Sequence, residues 1–161
     1  MSETVDRILA DTKQAMRERD KARLETLRLA TNELKNAGIE KKGARGLTEE
    51  VASPIDHLDD GEVVQVLQKL VKRRREAAKQ FEEGGRADLA ERELAEVVVL
   101  EHYLPKGLDE AELEALVRAA IAEVGATSMK EMGAVMKAAG AAAAGRADGS
   151  TLSGVVRRLL S

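Results

Sequence analysis

Asp59 to Gly85 reads DDGEVVQVLQKLVKRRREAAKQFEEGG, and this stretch decides the fold. Val63, Val66, Leu67, Leu70, Ala77, Ala78 and Phe81 fall on one stripe of a 3.6-residue period. Asp59 and Glu62 have the spacing of a capping box, with Asp in place of Ser or Thr. The pattern predicts a helix to about Glu83, roughly 36 Å long, which Gly84-Gly85 breaks. A further helix is expected from about Asp88 to Leu104, with Leu89, Leu94, Val97, Val98 and Leu104 inward. Two long helices joined by a tight glycine turn form an αα-hairpin. Arg74 lies on the apolar stripe, and an unpaired inward charge is costly, so an acid of the next helix, Glu93 or Glu96, is its expected mate.

Upstream, Val5, Ile8, Leu9, Ala15 and Met16 mark a helix from Ser2 to about Arg19. Asp20 caps a second, with Leu24, Leu27, Ala30 and Leu34 on its stripe and Gly38 as its expected end. Periodicity then fades from Ile39 to Leu58, which predicts a long mobile loop with one helical turn at Thr48 to Val51. Downstream, Pro105 stops the hairpin and Lys106-Gly107 forms a joint, so the expected domains are 1–104 and 105–161. Asp109 and Glu112 open a helix carrying Leu113, Leu116, Val117, Ala120, Ile121 and Val124, which Gly125 closes. Ser128 and Glu131 box another, with Met132, Val135 and Met136 inward and Gly140 past its end; Met129 is read as core as well. The last helix, from about Ser150, buries Leu152, Val155, Val156, Leu159 and Leu160.

Composition agrees with this count of helices. Of 161 residues, 26 are alanine and only Phe81 and Tyr103 are aromatic, whereas sheets draw on Tyr, Phe, Trp and Thr. The expected class is therefore all-α, with an N-terminal long-helix hairpin domain and a small C-terminal three-helix domain. Cysteine is absent, which excludes disulfides, thiolate nucleophiles and Cys-based zinc sites. No basic segment and apolar run follow Met1, and no stretch nears the ~20 apolar residues of a membrane span. A cytoplasmic protein with no membrane partner is expected, and the net charge of −3 exerts no overall pull on nucleic acid.

Lys72-Arg73-Arg74-Arg75 is the densest basic cluster, and Lys69, Lys72, Arg73 and Lys79 have spacings that can track a phosphate backbone. Glu76, Glu82 and Glu83 stand close by, and a charge run on a long helix is usually a solvated, ion-paired face. Gly145-Arg146-Ala147-Asp148-Gly149 precedes the last helix. Backbone amides at a helix start beside an arginine suit a phosphate; equally, two glycines shape the turn while Asp148 caps the helix. His57 and His102 lie on unrelated elements, with no neighbour arranged as a nucleophile, so no catalytic site, metal or cofactor is expected.

Several stretches together resemble the YqeY family. They are Lys72 to Glu76, Phe81 to Ala90, Glu101-His102-Tyr103-Leu104-Pro105, Gly125-Ala126 with Ser128-Met129-Lys130, Met132 to Lys137, and the Gly145–Gly149 turn. The resemblance covers the whole chain in order and spacing, and it implies a two-domain all-helical fold. The part from about Pro105 to Ser161 is similar to the tail domain of the B subunit of tRNA-dependent amidotransferase, which holds tRNA and does no chemistry. The family's label of carbon–nitrogen ligase with glutamine as amido donor comes by that similarity alone, since the enzyme's catalytic parts have no counterpart here. The resemblance makes an RNA-binding module, most of all for tRNA, the leading expectation. Lys130, Lys137, Arg146, Arg157 and Arg158 would contact phosphates, with Lys72 and Arg73 on the hairpin as further contacts. Gly145 and Gly149 would let the backbone approach. With so few aromatics, shape and phosphate recognition of folded RNA is expected rather than base stacking. The rival expectations are a protein-interaction adaptor working through the long hairpin and an accessory to such an amidotransferase.

Overall fold

The computed structural model describes residues 2–161. Those residues form seven α-helices and two short 3-10 turns and no strand, so the protein is all-α. By contact the chain divides into two compact units, one ending at Leu104 and the other spanning Pro105–Ser161.

In the first unit, α1 (Glu3–Glu18) begins where Ser2 Oγ accepts the Val5 amide. It ends at Arg19, which adopts a left-handed φ of 57°. Its Met16 is half exposed rather than part of the core. Asp20 caps α2 (Lys21–Arg45) by accepting the Arg23 amide. Contrary to the sequence reading, Gly38 does not end this helix. It lies inside α2, buried, and the true stop is Gly46 with φ 60°. A Cβ at residue 38 would sit 1.9 Å from the Pro54 carbonyl oxygen, so glycine is required there for close approach and not for a turn. The expected turn at Thr48 to Val51 is absent, and the 3-10 turn forms instead at Pro54–His57. The segment is also no free loop. Ile55, His57 and Leu58 are buried, and Lys41 Nζ donates to the His57 carbonyl at 2.6 Å while pairing with Glu62.

The Asp59–Glu62 capping box opens α3 (Asp60–Glu83) as expected, each residue bonding the other's amide. After Gly84-Gly85, α4 (Ala87–Glu101) stops short of the expected Leu104. The Tyr103 and Leu104 amides bond back to Leu100 and Glu101, a tightened last turn that sends the Tyr103 ring into the core. The buried line of α4 is Ala90, Val97 and Leu100; Leu94 and Val98 point outward, which corrects the inward placement read from the sequence. Ile8, Leu27, Leu34, Leu67 and Leu100, all fully buried, fill the core.

In the second unit, the Asp109–Glu112 box opens α5 (Glu110–Val124) and Gly125 ends it. The Ser128–Glu131 box is also formed, on a 3-10 turn at Met129–Glu131 that leads into α6 (Met132–Ala143). Gly140 lies within α6, not past it, because the alanines that follow are strong helix formers and carry the helix to Ala143. Met129 is 42% exposed, so it is not core. Asp148 caps α7 (Gly149–Leu160), whose Leu152 and Val156 meet Val117, Val135, Ala139 and Ala143 in the unit's own core.

Candidate nucleic-acid interface

The basic run of α3 resolves into separate fates. Arg74 is 8% exposed; its Nε donates to Glu96 at 2.7 Å and one guanidinium nitrogen donates to the Leu70 carbonyl at 3.2 Å. That is the inward arginine the stripe required, with the mate on the following helix. Arg73 pairs with Glu33 of α2 at 3.8 Å, and Arg75 pairs with Glu101 of α4. Lys72 is exposed and forms no ion pair among the described residues. Three of the four cations therefore hold helices together, which leaves little of a phosphate track.

In the second unit the expected contacts also divide. Arg146 Nε donates to the Lys106 carbonyl at 2.8 Å, its guanidinium lies 3.6 Å from Glu112, and its own carbonyl accepts the Leu108 amide at 3.0 Å. It fastens the start of the unit to the turn before α7. The Asp148 carboxylate accepts the Thr151 amide at 2.7 Å, so the start of α7 is filled by the protein's own carboxylate. Gly145 takes a φ of 80° in this turn, whereas Gly149 is the first residue of α7. Arg158 reaches Glu114 at 3.5 Å, and Glu114 also accepts from Arg118 at 2.7 Å. That hydrogen bond from Arg118, more than the charge of Arg158, holds the Glu114 carboxyl below the usual carboxylate range.

Lys130, Lys137 and Arg157 are exposed and form no ion pair among the described residues. Charge within the unit is segregated. Residues 105–125 carry Lys106 and Arg118 against Asp109, Glu110, Glu112, Glu114 and Glu123. Residues 126–161 carry Lys130, Lys137, Arg146, Arg157 and Arg158 against Glu131 and Asp148. Glu131 serves the Ser128 box, and the Ser128 amide holds its carboxyl below the usual range. The arrangement can attract phosphates to α6 and α7 through lysine and arginine without a preformed pocket.

The histidines stand apart. His57 is buried at the end of the Pro54–His57 turn, and His102 is exposed with its ring edge-on to Tyr103 at 5.2 Å. No group of three or more metal-ligating side chains occurs among the described residues. None of the described helices is long and apolar enough to cross a membrane. Two polar clusters were not read from the sequence. One joins Tyr103, Asp11, Arg23 and Arg7: the phenol donates to Asp11, Arg23 lies 3.7 Å from that carboxylate, and Arg7 covers the ring at 5.4 Å. Burial first, then the Asp11 carboxylate, pushes the phenol up to about 12. The other is Lys41 with Glu62 and the His57 carbonyl, where Lys41 holds the Glu62 carboxyl below its usual range. A lone tyrosine at a helix end was the available signal for the first; nothing in the spacing marks the second.

With this geometry in place, the chain matches the family model described as Yqey-like protein over residues 5–160. No curated protein matches it.

Proposed function

The chain belongs to the YqeY family, and from that premise we propose that it is a non-catalytic helical module of the cytoplasm that binds RNA, in the first place tRNA. The two compact units act in this reading as separate domains, and the contact is placed on the second, Pro105–Ser161. The observation that supports it is the excess of cations on residues 126–161, of which Lys130, Lys137 and Arg157 are exposed and unpaired among the described residues. The likeness of this part to the tail domain of the amidotransferase B subunit points to the same ligand. Arg146 contributes by shaping the turn, since its guanidinium is engaged by Lys106 and Glu112. Lys72 and Arg73 are not needed for the contact.

A salt titration of tRNA binding tests the proposal. Three phosphate contacts give a slope of log affinity against log salt of about −2 to −3. Reversing charge in Lys137→Glu with Arg157→Glu lowers affinity and flattens that slope. Absence of binding at low salt, or an affinity indifferent to salt and to both reversals, ends the proposal.

A further inference from the structure

The first unit carries a face that its own helices leave bare. Along α4, Glu91, Leu94, Val98 and Glu101 follow at helical spacing; Leu94 is 42% and Val98 69% exposed. Along α3, Lys72, Arg75 and Lys79 form the neighbouring outward line. The two lines adjoin, because Arg75 of one pairs with Glu101 of the other. They are also in step: Lys79 and Glu91 lie at nearly equal distance along the chain from the Gly84-Gly85 turn, as do Lys72 and Val98. Charge differs sharply between them. The outward line of α3 carries the cations Lys72, Arg75 and Lys79, whereas that of α4 carries the carboxylates Glu91 and Glu101.

We propose that this face pairs with itself in a second copy of the chain. A nucleic acid suits α3 and is repelled by α4, and a basic helix suits α4 and is repelled by α3. A partner that satisfies both is itself divided into an acidic and a basic half, and another copy of this hairpin is such a partner. An isologous contact requires each half of a patch to complement the other. A two-fold axis running along the hairpin between α3 and α4 lays α4 of each copy on α3 of its mate. Glu91 then faces the mate's Lys79, and Leu94 and Val98 are covered by each other's neighbours and by the aliphatic stems of the lysines. The charges set the register while the apolar pair excludes water. The proposal uses only the first unit and does not rest on RNA binding.

Sedimentation equilibrium of the full chain tests it. The wild-type chain gives twice the mass of one copy, and added salt weakens the association. Val98→Glu gives the single-copy mass with helical circular dichroism unchanged. Glu91→Lys and Lys79→Glu are each single copies alone, and mixing them in equal amounts restores the doubled mass. A wild-type chain of single mass at every concentration, a dimer that survives Val98→Glu, or a mixture that fails to associate overturns the proposal.

Discussion

Ile8, Leu27, Leu34, Leu67 and Leu100 are fully buried at the centre of the first unit, whereas in the second the fully buried side chains are Val117, Val135, Val156, Ala139 and Ala143, with Leu113 and Leu152 nearly so. The difference is one of size at the contact. Large aliphatic side chains remove more apolar surface from water per residue. Alanines let helix backbones approach but bring little surface of their own. The first unit adds inter-helix ion pairs, with Arg74 buried against Glu96, while the pairs of the second are exposed. A small unit with a small-residue core has little stability in reserve.

That contrast can be broken or sharpened by measurement, and the only tyrosine lies in the first unit, so its fluorescence follows that unit alone while circular dichroism follows both. The largest effect is expected from Leu67→Ala, at about 4 kcal/mol, against about 2 kcal/mol for Val156→Ala. Denaturant titrations with both signals check it, and a larger loss at residue 156 breaks the contrast. Next comes Gly38→Ala, at about 3 kcal/mol, since the new methyl meets a backbone carbonyl that cannot swing aside. Hydrogen exchange should then quicken at Ile55 to Leu58 and stay unchanged in α5 to α7; uniform quickening counts against a local clash.

Alkaline pH gives the third test. The Tyr103 pKa is raised to about 12, so folding favours the neutral phenol. The stability it brings is whole below pH 10 and drains away as pH climbs from there toward 12. Phenolate absorbance should therefore appear later than in a free tyrosine, and Asp11→Asn should bring it earlier while burial keeps it above the ordinary value. An unshifted wild-type titration contradicts the buried phenol. The smallest effect is expected in the second unit. Ala144 ends α6 with a left-handed φ of 48°, and Ala144→Gly should stabilise by about 0.5 kcal/mol once relief of that conformation is set against the looser unfolded chain. Thermal melts check the sign, and destabilisation would mean that the alanine is unstrained.

Helix starts were legible because their signals are local. Asp59–Glu62, Asp109–Glu112 and Ser128–Glu131 each place donor and acceptor three residues apart, and all three boxes form. Helix ends were harder. Gly38 and Gly140 look alike as stops, yet the reason for Gly38 is Pro54, sixteen residues away, and α6 runs on through Gly140. Arg74 could be turned inward from its neighbours Leu70, Ala77 and Ala78, which narrowed its mate to Glu93 or Glu96; the fold uses Glu96. Leu94 and Val98 could not be sorted from Val97, since adjacent apolar residues merge two faces into one signal. The cations of the candidate site were visible by counting. Which of them a carboxylate engages was not, because Arg73 meets Glu33 and Arg146 meets Glu112 only through the fold.

The missing methyl of Gly38 also works as a keyway. Leu34 and Lys42, one turn to either side on the same face of α2, each carry a Cβ, so the Pro54 carbonyl has one seat along this part of the helix. A chain that folds with the Pro54–His57 turn one notch off finds a side chain where it needs a gap. Mis-seated forms are thereby disfavoured by contact alone, and the bond from Lys41 to the His57 carbonyl fastens the correct one.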